Sequence, residues 1–145
     1  MPHGTITRRT RVALVVTAGA MVATAAATAQ QDAETAPATV KQVMVTMTVP
    51  SSDAIFSAAS EPPKNDEQWV AVRKSAMMLA ASGNLLMTGG RAKDNTTWME
   101  MAREMVKQAE ATLKAAEARN SDALSKASDD AYLTCETCHG RYLTP

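Results

Sequence analysis

Large side chains are scarce in this chain. Two Trp, two Tyr and one Phe make up 3% of its 145 residues, so a core built from it lacks the usual bulky fillers. Basic charge is not in excess, with 15 Lys and Arg against 15 Asp and Glu. No RNA- or DNA-binding signature occurs, so nucleic acid is not an expected partner. The apolar run from Val12 to Ala23 falls short of the roughly 20 residues that span a bilayer, which argues against a permanent anchor. Strand alternation is almost absent. Cysteine occurs twice, as Cys135 and Cys138, and histidine twice, as His3 and His139.

The beginning of the chain has three parts. Arg8, Arg9 and Arg11 precede the apolar run, and Ala27-Thr28-Ala29 follows it; this is the layout of a cleaved secretory signal peptide over 1–29. Arg8-Arg9 is also a loose match to a twin-arginine signal. Cleavage after Ala29 removes three arginines and no acid, so 12 basic side chains remain against 15 acidic ones, a net charge of −3. It also removes His3 and leaves His139 as the only histidine. Residues 30–37, QQDAETAP, read as a flexible leader.

Residues 38–145 form the expected domain. Pro and Gly cluster in EPPKND and TGGRAKDN and divide it into segments of helical period. The first, near Ala38–Ala59, carries Val40, Met44, Met47, Ala54 and Ala58 on one face. Pro50 interrupts it, because proline has no N–H for the carbonyl of Thr46; a kink, or two helices meeting at Val49, is expected. Asn65 or Asp66 caps the second, with Trp69, Val72, Ala76, Leu79, Ala80 and Leu86 inward. Asn95 is the expected cap of the third, whose inner stripe includes Trp98, Met101, Ala102, Met105 and Ala109. Ser121 opens the fourth, with Leu124, Ala127, Ala131, Cys135 and Cys138 inward. Four such helices on short turns predict an all-α, antiparallel, up-down-up-down four-helix bundle. Its many Ala and Met positions leave the core underfilled, as if a large apolar cofactor supplied part of the packing.

The late stretch CETCH is the pattern of c-type haem attachment. Two thiols add across the two haem vinyl groups, and the imidazole that follows reaches the iron. On a helix, residues 135, 138 and 139 are spaced by three and four and share one face. A Cys135–Cys138 disulfide closes too small a loop to stabilise much and leaves His139 unexplained. Structural zinc needs four ligands, a redox dithiol needs a helix N-terminus in a βαβ setting, and a nucleophilic cysteine needs a base. No Met or His follows the motif, so a second axial ligand is expected upstream.

With CETCH in the last of four helices and Tyr142 three residues beyond His139, the sequence resembles the class II c-type cytochromes, the cytochrome c prime family and its low-spin relatives. The resemblance covers nearly all of residues 38–145. It implies one covalent haem c on Cys135 and Cys138, His139 as proximal iron ligand, and a first helix that crosses the distal side. Low-spin members place a Met there and carry electrons, whereas cytochrome c prime leaves the position open and binds nitric oxide or carbon monoxide. Met44, in QVM, lies where low-spin members carry the ligand; Met47 is the alternative, and packing is a third role for both. Many members have an arginine near the distal residue, where this chain has Lys41. Arg91 and Arg141 are candidates to pair with haem propionates, or are solvated.

The reading that follows is a periplasmic electron-transfer protein, not an enzyme, with His139/Met44 ligation and redox proteins as partners. Many members form dimers, so a homodimer is among the expected assemblies. A five-coordinate gas-binding cytochrome c prime is the alternative, and a haem-free secreted bundle the third reading.

Overall fold

The computed structural model describes residues 38–143; the expected signal peptide and leader lie outside them. Helix α1 is continuous but has three parts: an α-helical turn Val40–Val43, a π-helical turn Met44–Thr48 and an α-helix Val49–Ser60. Helices α2 (Asp66–Leu86), α3 (Thr97–Glu117) and α4 (Ser121–Tyr142) follow, and no strand occurs among the described residues.

The chain's own side chains start and stop these helices. Thr39 and Gln42 form a reciprocal cap at α1, the Thr39 N–H donating to Gln42 Oε1 at 2.8 Å and the Gln42 N–H to Thr39 Oγ1 at 3.2 Å. Asn65 caps α2 by accepting from the Gln68 N–H at 2.9 Å, and Asp66 and Glu67 add acidic charge to that positive helix end. Past Leu86 the chain turns through Gly89 and Gly90, at φ +63° and +72°, a region that favours glycine. Arg91 then reaches back and donates to the carbonyls of Leu85 and Thr88 at 3.1 and 2.8 Å. The cap of α3 differs from expectation. Asp94, not Asn95, accepts from the Thr96 and Trp98 N–H groups, both at 3.0 Å. Asn120 caps α4 through the Ala123 N–H at 3.0 Å.

Pro50 acts less abruptly than its sequence position suggests. Instead of a break at Val49, the turn just before it widens, and the Val49 N–H donates to the carbonyl of Met44, five residues back. Thr46 Oγ1 donates to the Gln42 carbonyl at 2.6 Å and buried Thr48 Oγ1 to Val43 at 3.5 Å. The hydroxyls thus bond carbonyls along the altered stretch, and the helix runs on without ending.

Contacts between helix ends fix the directions of the bundle. Trp98, at the start of α3, donates its indole N–H to the carbonyl of Leu86, at the end of α2, at 2.8 Å. At the other end Arg119 meets Asp66 at 2.9 Å. Helices α2 and α3 therefore run in opposite directions. Thr48 of early α1 donates to Ser82 of late α2 at 3.0 Å, and Tyr142 of late α4 donates to Asp94 before α3. Residues 38–143 form an all-α four-helix bundle with neighbours alternating in direction. Ile55, Leu79, Leu124 and Val43 are its largest fully buried apolar side chains, and no buried side-chain nitrogen or oxygen among the described residues lacks a hydrogen-bond partner.

Small residues let α2 and α3 approach closely. A Cβ on Gly83 would lie 2.7 Å from Val106 Cγ2 and 3.1 Å from Met105 Cε. Gly83→Val is accordingly expected to overpack this seam and cost about 1–3 kcal/mol. Urea unfolding should show a lower midpoint with an unchanged slope.

Candidate functional site

The core is incomplete in one place. A cavity of about 500 Å³ opens among α1, α3, α4 and the end of α2, within the roughly 300–1,000 Å³ typical of small-molecule and cofactor sites. Met44, Thr48, Ser52 and Phe56 line it from α1, and Leu86 from α2. Trp98, Met101 and Met105 line it from α3, and Tyr132, Cys135, Cys138 and His139 from α4. Its wall is mostly carbon and thioether, as the scarcity of large core residues suggests.

The three residues of the CETCH pattern meet at this cavity. All lie within α4, so their spacing of three and four turns them to one side. Cys135 and Cys138 are half-buried free thiols, and His139 is exposed. Burial raises the Cys135 thiol above its ordinary value, with the neighbouring Cys138 adding to the effect, and burial alone raises Cys138. Both therefore stay protonated at neutral pH, unlike activated nucleophiles. Among the described residues no three His, Cys, Asp or Glu side chains converge as a metal-ion site.

Helix α1 separates the two candidate methionines. Met44 lines the cavity; Met47, also half-buried, does not. Residues three apart share a face on an α-helix, but Met44–Thr48 is a π-helical turn, where the rotation per residue is smaller and the two side chains diverge. Lys41 is exposed and lies in a different cleft.

Neither candidate arginine belongs to the cavity wall, which carries no Lys or Arg. Arg91 is half-buried, and its guanidinium donates to the carbonyls of Leu85 and Thr88 at the end of α2 and, through Nε, to that of Ala38. Arg141 is exposed, with its guanidinium carbon 5.7 Å from the Tyr142 ring centroid.

One group beside the site was not evident from spacing. The Tyr142 hydroxyl donates to Asp94 Oδ2, and its ring meets that of Trp98 edge-on at 5.0 Å between centroids. Trp98 in turn lines the cavity. This triad ties the last turn of α4, just beyond His139, to the start of α3. Aromatic residues at both helix ends were the only sequence signal, and a loop carboxylate between them could not be read from period. The cavity has room for a flat apolar group held from α4: two thiols and an imidazole stand on one wall, the Met44 thioether on the α1 wall, and those of Met101 and Met105 on the α3 wall. No helix among the described residues is long and apolar enough to cross a membrane. Comparison of the chain with protein-family models, curated proteins and solved structures finds no match.

The Tyr142 hydrogen bond, with help from the Trp98 and Thr96 N–H groups, holds Asp94 down to about 2 from 3.8. A carboxyl lowered on folding adds stability above its unfolded value, and that stability is lost as pH falls through its folded value. The Asp94 contribution should therefore be complete above about pH 4 and decline toward pH 2. Tyr142→Phe is expected to raise the Asp94 value and flatten this part of the curve. Melting temperatures of both proteins between pH 2 and 5 provide the check, and equal slopes would contradict it.

Proposed function

We propose that the protein is an electron carrier of the class II cytochrome c type, holding one haem c between His139 and Met44. The observation that carries this reading is the meeting of Cys135, Cys138, His139 and Met44 at one apolar cavity. Each thiol adds S–H across a vinyl group, so attachment forms two thioethers without consuming an oxidant. His139 would hold the iron through an imidazole nitrogen and Met44 through its thioether. The bound group supplies a ferrous/ferric couple. The protein's residues supply the rest: α4 holds the tether, α1 brings the sixth ligand, and the apolar wall limits solvent rearrangement when charge changes.

Nothing in this arrangement calls for a substrate or a catalytic base. The signal-peptide reading and the extracytoplasmic assembly of haem c agree on a periplasmic location, with redox proteins as partners. Met44 in the wall favours a closed sixth position over the open one of a gas-binding cytochrome c prime.

Two experiments test this. Acid–acetone extraction should leave colour on the protein and remove it from a Cys135→Ala/Cys138→Ala variant. Met44→Ala should turn the ferric form high-spin, let ferrous protein bind carbon monoxide, and lower the reduction potential, because the thioether that favours ferrous iron is lost. Visible spectra and a redox titration read all three. The same changes in Met47→Ala instead would move the ligand to Met47, and a high-spin unmutated protein would favour the gas-binding reading.

A further inference from the structure

A second cleft, of about 420 Å³, lies at the same end of the bundle. The start of α1 and the loop after α2 form its walls, about one helical turn beyond Met44 and Leu86, which line the large cavity. Lys41, Arg91 and Lys93 are the charged residues that line it; no carboxylate does. None of the three takes part in an ion pair among the described residues, and what sets them apart from other unpaired bases is that they gather on one cleft without a carboxylate in its lining. Asp94, the nearest acid in sequence, is already engaged by Tyr142 and two backbone N–H groups.

We infer that this cleft is the docking surface for an acidic patch on a redox partner protein. The inference rests on the haem reading above, since it places the partner at the end of the bundle that holds the cofactor. A small anion is a poorer occupant. Lys41 and Lys93 are exposed, and the Arg91 guanidinium is already held by carbonyl groups, so no preformed cage closes around a point charge. A broad carboxylate surface needs no cage, because it feels the summed field of three cations within a Debye length of about 8 Å. Nucleic acid fits poorly with residues 30–145, whose net charge is −3.

That same net charge makes the test decisive. Ferrous holoprotein gives one electron to hexacyanoferrate(III), an anion, in a stopped-flow experiment. If the molecule's net charge governs approach, added salt should speed this reaction by screening repulsion. If the local cations govern it, the rate should fall, about tenfold between roughly 0.01 and 0.2 M salt. Lys41→Glu/Lys93→Glu should abolish or reverse that fall, with Lys41→Gln/Lys93→Gln intermediate as a milder check. Poly-L-glutamate, presenting the carboxylates of an acidic surface, should slow the reaction at low salt in the unmutated protein and not in the Glu variant. A rate that rises or stays constant with salt, equal behaviour of variant and parent, or equal inhibition of both by poly-L-glutamate would overturn the inference. Coloured protein with any of these outcomes removes the docking surface alone; colourless protein removes the haem reading and this inference with it.

Discussion

The missing N–H of Pro50 constrains more of this molecule than any other single feature. A helix that continues through proline must do without one backbone bond, and here the strain is absorbed by a wider turn immediately before it. The widened turn contains both methionines of α1 and changes the rotation between them. Met44 lines the cavity and Met47 does not. Thr48 is buried and spans to Ser82 of α2, which locks α1 onto its neighbour at the same level. Of the two methionines of α1, only Met44 thus lines the site, where it joins Met101 and Met105 of α3.

The cavity itself follows from where bulk is placed. Between α2 and α3 the contact is close: Ala76 and Ala109 are fully buried, and Gly83 leaves no space for a side chain. Between α1 and α4 the chain supplies Ser52, Phe56, Tyr132 and two cysteines, with the Phe56 and Tyr132 rings 6.1 Å apart at 72°. A bundle that packs one seam tightly and leaves another open has a site by construction, because helices cannot close a gap that the opposite seam holds apart.

Most of the fold was legible in the sequence because helical period and caps are local properties. The stripe Trp69, Val72, Ala76 and Leu79 is buried as its spacing implies, Asn65 caps the second helix, and Ser121 is the first residue of the fourth. The CETCH residues were legible for the same reason, since residues 135, 138 and 139 need only one regular helix to converge. What escaped depends on departures from regularity. The choice of Asp94 over Asn95 turns on how a loop of irregular backbone aims its carboxylate. The separation of Met44 from Met47 turns on a π-helical turn that has no distinctive composition. Arg91 depends on a long side chain folding back across two glycines.

The triad of Asp94, Tyr142 and Trp98 shows why these departures gather at one end. A four-helix bundle frays most readily at its ends, where backbone groups lack intrahelical partners, and α4 carries His139 within its final turn. Asp94 caps α3 with one carboxylate oxygen and accepts from Tyr142 with the other, so the cap that starts α3 also holds the end of α4. Trp98 packs against Tyr142 and bonds the last carbonyl of α2. Three helix ends are therefore joined through three side chains, next to the cavity that Trp98 lines. An imidazole in a final helical turn keeps a fixed direction only if that turn cannot unwind, and here unwinding it would break the cap of α3 as well.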